Sequence, residues 1–258
     1  MSANNKEITG RLSHLWDDTP INRKNFVEIE SSLAWDNPWE EIYRKIGVPE
    51  DLISPYYGFG DIQEALKKHA GEKDKAGIRV LDVAGGPGRH TIKLAEMGFR
   101  VFSFDVSKTA IELAKEAAIK NNVADRVNFR ISDMFGTYPY REGYFDSIIA
   151  IQAIYHGYQE HMQKAIDEIH RISKPNALFA FTVSMDCDRA MMGAKKYKTK
   201  EVAPFTFIPQ VGREKGLPHF YPDEQLLEKM LRPKFNNIRH QTDLENSYRQ
   251  VFCNAIKE

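Results

Sequence analysis

From residue 61 onward the chain alternates between short blocks of β-branched and aromatic residues and longer blocks whose apolar residues recur every three or four positions. The short blocks predict strands over Arg79 to Val83, Arg126 to Ser132, Tyr144 to Gln152 and Ala177 to Val183, with a further strand opening at Val101, Phe102 and Phe104. The longer blocks predict helices. One spans Asp61 to Ala70 with Asp61 as its N-cap, and one follows Gly88, buries Ile92, Leu94, Ala95 and Met97, and stops at Gly98. Ser107 caps a third that runs to Asn121 on Ile111, Leu113, Ala114 and Ala118, and Glu160 to Ser173 is a fourth. Lys174-Pro175-Asn176 reads as a turn. Strands alternating with helices in this way demand a parallel sheet, because each helix carries the chain back to start the next strand in the same direction. A last helix over Pro222 to Leu231 then precedes two strands, Asn237 to Thr242 and Tyr248 to Ile256.

Two segments break the rhythm. Residues 1–60 are rich in Trp, Tyr, Asn and Pro, with short helical stretches at Asn25 to Leu33 and Pro38 to Ile46 and turn signals at Asn37-Pro38 and Gly58. They read as a helical cap on a core of residues 61–258. From Met185 to Phe220 basic, aromatic, Met and Pro residues mix without a sustained period, and a stretch of that length inside a compact domain points to function or mobility. It is read as an insertion, at about 185–220, that covers the substrate.

At 258 residues and 42% hydrophobic, the chain can bury one core with an appendage. The 36 basic and 36 acidic side chains cancel, so no global field draws nucleic acid or an anionic membrane. The run Lys195, Lys196, Lys198, Lys200 reads as solvated surface. Cys187 and Cys253 have neither metal-ligand spacing nor the makings of a disulfide framework, so no metal is expected and a reducing cytoplasm is the simplest compartment. No apolar signal core opens the sequence and no run reaches the roughly 18 apolar residues of a membrane span.

The candidate chemistry lies in residues 78–105, IRVLDVAGGPGRHTIKLAEMGFRVFSFD. An apolar strand, the glycines Gly85, Gly86 and Gly88, a helix and a second strand ending in Asp105 form a nucleotide-handling βαβ unit. Asp105 follows Gly86 by nineteen residues, close to the roughly 20-residue offset at which an acid meets a ribose hydroxyl pair. The dinucleotide pattern G-x-G-x-x-G fails in both frames: positions 84, 86 and 89 hold Ala, Gly and Arg, and positions 86, 88 and 91 hold Gly, Gly and Thr. A pyrophosphate needs three correctly placed glycines, whereas a ligand without phosphate tolerates Pro87 and a bulkier third position. A nicotinamide-dependent oxidoreductase is therefore the lesser alternative.

The run Leu81-Asp82-Val83-Ala84-Gly85-Gly86-Pro87-Gly88, followed in order by SFDVS, RVNFRISDMF, YFDSIIAIQAIYH and EIHRISKPNALFAFTV, resembles the motif series of class I S-adenosylmethionine-dependent methyltransferases of small-molecule type. The resemblance covers about residues 60 to 185; Ala84 stands where the motif has its first glycine, with Gly85 beside it as compensation. It implies a Rossmann-like α/β fold: a mostly parallel seven-stranded sheet with helices on both faces and an antiparallel terminal strand. It also implies S-adenosylmethionine as cofactor. By the same resemblance Ala84, Gly85, Gly86 and Gly88 form the loop beneath the methionine and ribose, and Asp82 orients that loop and the ammonium group. Asp105 accepts the ribose hydroxyls, Val106 packs on the adenine, Asp133 takes the adenine amino group, Met134 offers a backbone amide, and Gln152 with Ile151 borders the methionine end.

Methyl transfer from a sulfonium is an in-line displacement, so holding the nucleophile near the methyl carbon does most of the work, and a base is needed only for a protonated acceptor. Tyr155 and His156, just past the fourth strand, and His219 are the catalytic candidates. The segment REKGLPHFYPDEQLLEKML resembles one near the substrate mouth of small-molecule members, including those similar to tellurite-resistance proteins. Tyr56, Tyr57, Phe205, Phe207 and Phe220 are expected to wall an aromatic pocket. After the fourth strand the chain reads IQAIY rather than an Asn-Pro-Pro-Tyr type sequence, so no nucleic acid is expected. The expected function is methyl transfer to a small molecule, with a non-catalytic S-adenosylmethionine-binding accessory or sensor as the alternative. No oligomeric state follows from the sequence.

Overall fold

The computed structural model describes residues 38–184, 198–243 and 248–257. Its strands are β1 (Arg79–Val83), β2 (Arg100–Asp105), β3 (Val127–Ile131), β4 (Phe145–Ala150), β5 (Ser173–Ser184), β6 (Thr199–Ala203), β7 (Thr206–Pro209), β8 (His219–Phe220), β9 (Phe235–Asp243) and β10 (Tyr248–Ala255). Seven of them form one sheet in the order β3-β2-β1-β4-β5-β10-β9. β1 to β5 pair in parallel, and β10 runs antiparallel to both β5 and β9. The chain starts at β1, works outward to β3, then returns to β4 on the other side. That reversal opens a crevice beyond the carboxyl ends of β1 and β4, where open α/β sheets bind ligands.

The helices are α1 (Pro38–Ile46), α2 (Phe59–Ala70), α3 (Arg89–Glu96), α4 (Lys108–Lys120), α5 (Gln159–Ile172) and α6 (Glu224–Leu231). Alternate side chains of each strand leave opposite faces, so the sheet feeds two cores. Leu81, Val83, Phe104 and Phe179 pack with Ile166 and Ile169 of α5 and Leu227 of α6. Val80, Val101 and Ile149 pack with Ile62 and Leu66 of α2, Leu94 of α3 and Ile111 of α4. Each such fully buried aliphatic or aromatic side chain stabilises the fold by about 1.5–3 kcal/mol. Helix starts are chemically marked: Ser107 Oγ accepts from Ala110 N (3.0 Å) at α4, and Asp223 Oδ1 accepts from Leu226 N (2.7 Å) at α6.

Three expectations are corrected. Asp61 does not cap α2, which starts two residues earlier after Gly58; Asp61 Oδ2 instead accepts from Gln241 Nε2 at 2.8 Å. Lys174-Pro175-Asn176 is not a turn ahead of β5 but a bulge within it: β4–β5 pairing jumps from Phe145–Ser173 to Ser147–Leu178, and Asn176 absorbs the extra residues with φ 62°. The described part of the insertion is ordered as an antiparallel sheet, β6-β7-β8. Its strands are short, with β6 largely exposed and β7 and β8 buried at nearly every residue, so they carry no apolar alternation to read. The helix read over Asn25 to Leu33, and Cys187, Lys195 and Lys196, lie outside the described residues; Cys253 is buried with a free thiol.

Candidate active site

β1 ends at Val83 and the chain turns through Ala84-Gly85-Gly86-Pro87-Gly88 into α3. Gly85 has no room for a side chain, because a β-carbon there would stand 2.2 Å from Ser103 Oγ and 2.8 Å from Asp82 Oδ2. Gly88 adopts φ +89°, and its β-carbon would meet Ala114 Cβ at 3.1 Å. The turn is therefore pressed against β2 and α4 and leaves main chain as its lining. Ala84 takes φ 51° and Gln152, past the end of the neighbouring β4, takes φ 53°. Left-handed non-glycine residues cost about 1–3 kcal/mol each and concentrate at ligand sites. Gly85 thus does not compensate for the missing motif glycine; Ala84 itself makes the left-handed turn.

Asp105 closes β2 and holds that turn. Its Oδ2 accepts from Gly86 N and its Oδ1 from Ser107 N, both at 2.9 Å. Burial pushes the carboxyl up to about 6, against the pull of the Ser107, Gly86 and Val106 amides. Asp82 is buried inside the turn, where Oδ2 accepts from Thr91 Oγ1 at 2.6 Å; burial raises it to about 7 while the Thr91 hydrogen bond and the Arg89 charge oppose the rise. Ser132 N donates to Asp105 O (3.1 Å), tying the ends of β2 and β3 together. Val106, Asp133 and Met134, the residues that follow those ends, are each half-buried, and Asp133 Oδ1 accepts from Phe135 N at 2.9 Å.

α1 and the segment after it lie over the turn. Glu40 Oε2 accepts from Ser107 Oγ (2.6 Å) and Thr109 N (3.1 Å), while Oε1 accepts from Thr109 Oγ1 (2.7 Å). The Tyr43 hydroxyl stands 3.1 Å from where a β-carbon of Gly86 would be. Arg89 Nη1 donates to the carbonyls of Asp51 (3.1 Å) and Ser54 (3.2 Å), and its Nη2 donates to Gln152 Oε1. Tyr56 N donates to His90 Nε2 at 3.0 Å. Gln152 is thus fixed by Arg89 on its side chain and by Thr182 Oγ1 on its amide (2.7 Å).

Beyond Gln152 the structure brings Tyr155, His156 and His219 together. Ala153 O accepts from both His156 N and His156 Nδ1 at 3.0 Å, which leaves Nε2 as the ring's lone pair. Phe220 N donates to Tyr155 O (2.8 Å) and β8 pairs with β7 through His219 and Phe207, so backbone contacts set His219 against His156 with ring centroids 4.8 Å apart. His219 Nε2 lies 3.2 Å from Glu214 Oε2. Burial, with help from His219, lowers His156 to about 4, so the imidazole is neutral at pH 7. Glu214 is held down at about 2: burial works against this, but the His219 hydrogen bond and the His156, His219 and Arg213 charges outweigh it. Trp39 of α1 sits edge-on to His156 at 6.0 Å, and Arg213, paired with Asp51 at 2.8 and 2.9 Å, lies 5.5 Å over the Trp39 ring.

The aromatic wall differs from the expected one. Phe220 is fully buried in the core beneath, Tyr57 is half exposed, and Phe207 is buried 5.9 Å from Tyr221. The rings beside the imidazoles are Trp39, Tyr155 and Tyr221; Tyr248 joins them through Tyr155, the two hydroxyls 3.4 Å apart, and Tyr56 of the expected set packs on Tyr248 at 5.8 Å. Sequence reasoning missed Trp39, Glu40, Tyr43, Arg89, Glu214, Tyr221 and Tyr248. Glu214 and Tyr221 sit in the segment already singled out around His219, and their polarity and spacing were the available signal. The others meet the site only through the fold.

With this geometry in place, comparison with known proteins is decisive. A family model described as a methyltransferase domain matches residues 74–230, more than half of the chain. This chain belongs to the methyltransferase domain family. Its motif series and sheet order are those of class I, and S-adenosylmethionine is the cofactor of that class. An uncharacterized methyltransferase of Synechocystis is 33% identical over 104 residues, 40% of this chain and 46% of that protein. The tRNA 5-carboxymethoxyuridine methyltransferase of Escherichia coli K12 is 44% identical over 52 residues, 20% of each chain. The chain thus spans less than half the length of these curated relatives. The crystal structure of an S-adenosylmethionine-dependent methyltransferase from Methanosarcina mazei shares the fold, with a TM-score of 0.61 at 17% identity over 75% of this chain and 98% of that one. With a tRNA methyltransferase among the relatives, the expected exclusion of nucleic acid has no support. Among the described residues no helix is long and apolar enough to cross a membrane.

The methyltransferase turn fits an adenosyl ligand on this structure's own terms. The crowding at Gly85 and Gly88 leaves a lining of main chain, and Asp105 stands beside it as a buried acceptor with lone pairs to spare after two amide bonds.

Proposed function

We propose that the protein methylates a small-molecule acceptor held between the end of β4, helix α1 and the insertion. The observation that carries this reading is the way α1 and the insertion meet over the cofactor turn: Arg213 of the insertion pairs with Asp51 and covers Trp39, and Trp39 covers His156. Such closure favours a compact acceptor and excludes water. In this reading residues 1–60 are the cap, residues 61–258 the core, and the protein works in the cytoplasm.

Bound S-adenosylmethionine supplies a methyl carbon activated by its sulfonium. The chain's residues bind and orient. Asp105 accepts the ribose hydroxyls, Val106 packs on the adenine, and Asp133 and the Met134 amide meet its edge. Ala84, Gly85, Gly86 and Gly88 cradle the methionine and ribose, Asp82 steadies that cradle through Thr91, and Gln152, clamped by Arg89, borders the methionine end. His156, neutral and with its Nε2 lone pair free of the Ala153 contact, takes the proton of a protonated acceptor, while Tyr155 and His219 fix the acceptor's position.

The test is S-adenosylhomocysteine release by the full chain, with S-adenosylmethionine and a panel of hydroxylated aromatics, amines, thiols and bulk tRNA. Turnover with small molecules is expected. Turnover with tRNA alone contradicts the acceptor class, and cofactor binding without turnover on any acceptor favours an accessory or sensor role.

A further inference from the structure

His156, Glu214 and His219 each offer a ligand-type atom, and these three atoms lie within 4.8 Å of one another. We infer that the three side chains form a binding site for a divalent first-row transition metal ion, with its open positions turned to the methyl acceptor.

The donor set is the first ground. Two imidazoles and one carboxylate are the ligands of catalytic zinc sites and of facial sites that keep positions open, whereas magnesium and calcium prefer all-oxygen shells. Spacing is the second. Ligands about 2.1 Å from one ion lie about 3.0–3.4 Å apart in octahedral or tetrahedral geometry. The His219 Nε2 to Glu214 Oε2 distance of 3.2 Å already matches, and with all three ligand atoms within 4.8 Å of one another a small inward shift of the side chains closes the set. The third ground is the surrounding shell. His156 Nδ1 donates to Ala153 O, the backbone contact that typically fixes a metal-ligating imidazole with Nε2 outward. His219 is 2% exposed and its Nδ1, the nitrogen that does not face Glu214, has no hydrogen-bond partner among the described residues, so of the two rings only His156 has its second nitrogen fixed by the backbone. Arg213 is 4.0 Å from Glu214 but is held by Asp51 in a two-bond pair.

A second cluster, Glu224, Glu228 and His240, also has an imidazole whose buried nitrogens lack hydrogen-bond partners, but it offers one imidazole instead of two. Glu224 is exposed, and Glu228 and Glu224 already pair with Arg232 and Arg249.

The inference deepens the proposed acceptor site and rests on that reading for what the ion does: with the ion bound, His156 and His219 serve as ligands, His156 Nε2 is no longer the base, and the site selects acceptors that present an oxygen or sulfur donor. Ion binding itself is independent of methyl transfer. Full-length protein stripped with a chelator is titrated with Zn2+ by calorimetry and with Co2+ by visible absorption, and S-adenosylhomocysteine affinity is measured on the same samples. One ion per chain is expected, with the intense visible band of low-coordinate Co2+. Affinity should fall on the order of 100-fold in His156→Asn, Glu214→Gln and His219→Asn, and stay unchanged in His240→Asn. No saturable binding by the wild-type chain overturns the site, as does equal affinity in the three ligand variants judged folded by circular dichroism. If the ion fails to bind while S-adenosylhomocysteine still does, the metal site falls and the methyltransferase reading stands; the opposite result separates them the other way.

Discussion

The two halves of the active site are built by different means. The cofactor half is nearly contiguous in sequence, residues 78–105 with the ends of β3 and β4, and its working surface is backbone: a glycine turn, amides, and one carboxylate that organises them. The proposed acceptor half is assembled from side chains scattered over Trp39, Tyr155, His156, Glu214, His219, Tyr221 and Tyr248, brought together by α1, the β4 exit, the insertion and β10. A backbone site keeps its form as long as the strand ends do. A side-chain site is free to change with every insertion, so the donor half reveals the chemistry and the acceptor half its specificity.

The sharpest way to break this contrast is at Asp105. Asp105→Ala removes the acceptor of two amides and, in the proposed reading, of the ribose, and each buried group left unpaired costs about 1–3 kcal/mol. S-adenosylhomocysteine affinity should fall at least about 100-fold, with a clear loss of thermal stability. Next, His156→Asn should cut turnover by about 100-fold while cofactor affinity holds within about twofold, as steady-state kinetics paired with calorimetry will show. If cofactor affinity falls equally, the two halves are not separable.

Glu40→Gln tests whether the cap belongs to the cofactor half. Losing the charged acceptor of Ser107 and Thr109 should weaken S-adenosylhomocysteine about three- to tenfold. Titration sharpens the same half. Asp105 rises from its ordinary 3.8 to about 6 in the folded chain, so the native state binds more protons between those values. Its contribution to stability is full below about 3.8 and is lost as pH rises through about 6. Cofactor affinity runs oppositely, since the ionised carboxylate is the better acceptor: it should weaken, by at most about tenfold per pH unit, as pH falls below about 6. The smallest effect is expected for Ala84→Gly, which relieves φ 51° at the cost of chain entropy and should shift stability upward by no more than about 1 kcal/mol in denaturant unfolding.

The same contrast explains what the sequence made legible. β1, β2, the Ser107 cap, α1 and the antiparallel last strand follow from local pattern or from motif order, and all lie where they were expected. Asp105 was legible because a strand-turn-helix-strand unit fixes its distance from the glycines. Ala84 was misjudged, since a left-handed φ on alanine leaves no mark in composition. The β6-β7-β8 sheet was invisible because its strands are only two to five residues long, with β6 exposed and β7 and β8 buried at nearly every residue, so none alternates. Arg89 on Gln152, and Trp39 between Arg213 and His156, depend on contacts across 63, 174 and 117 positions (152 − 89, 213 − 39, 156 − 39), which no local window reads.

The central claim is that the turn at Ala84 to Gly88, organised by Asp105, holds an adenosyl ligand. Calorimetric titration of S-adenosylhomocysteine into the full chain and into Asp105→Ala, both verified as folded, tests it directly. One saturable site in the wild-type chain that is lost or weakened at least about 100-fold in the variant is the predicted result; no binding to the wild-type chain, or equal affinity in both, contradicts it.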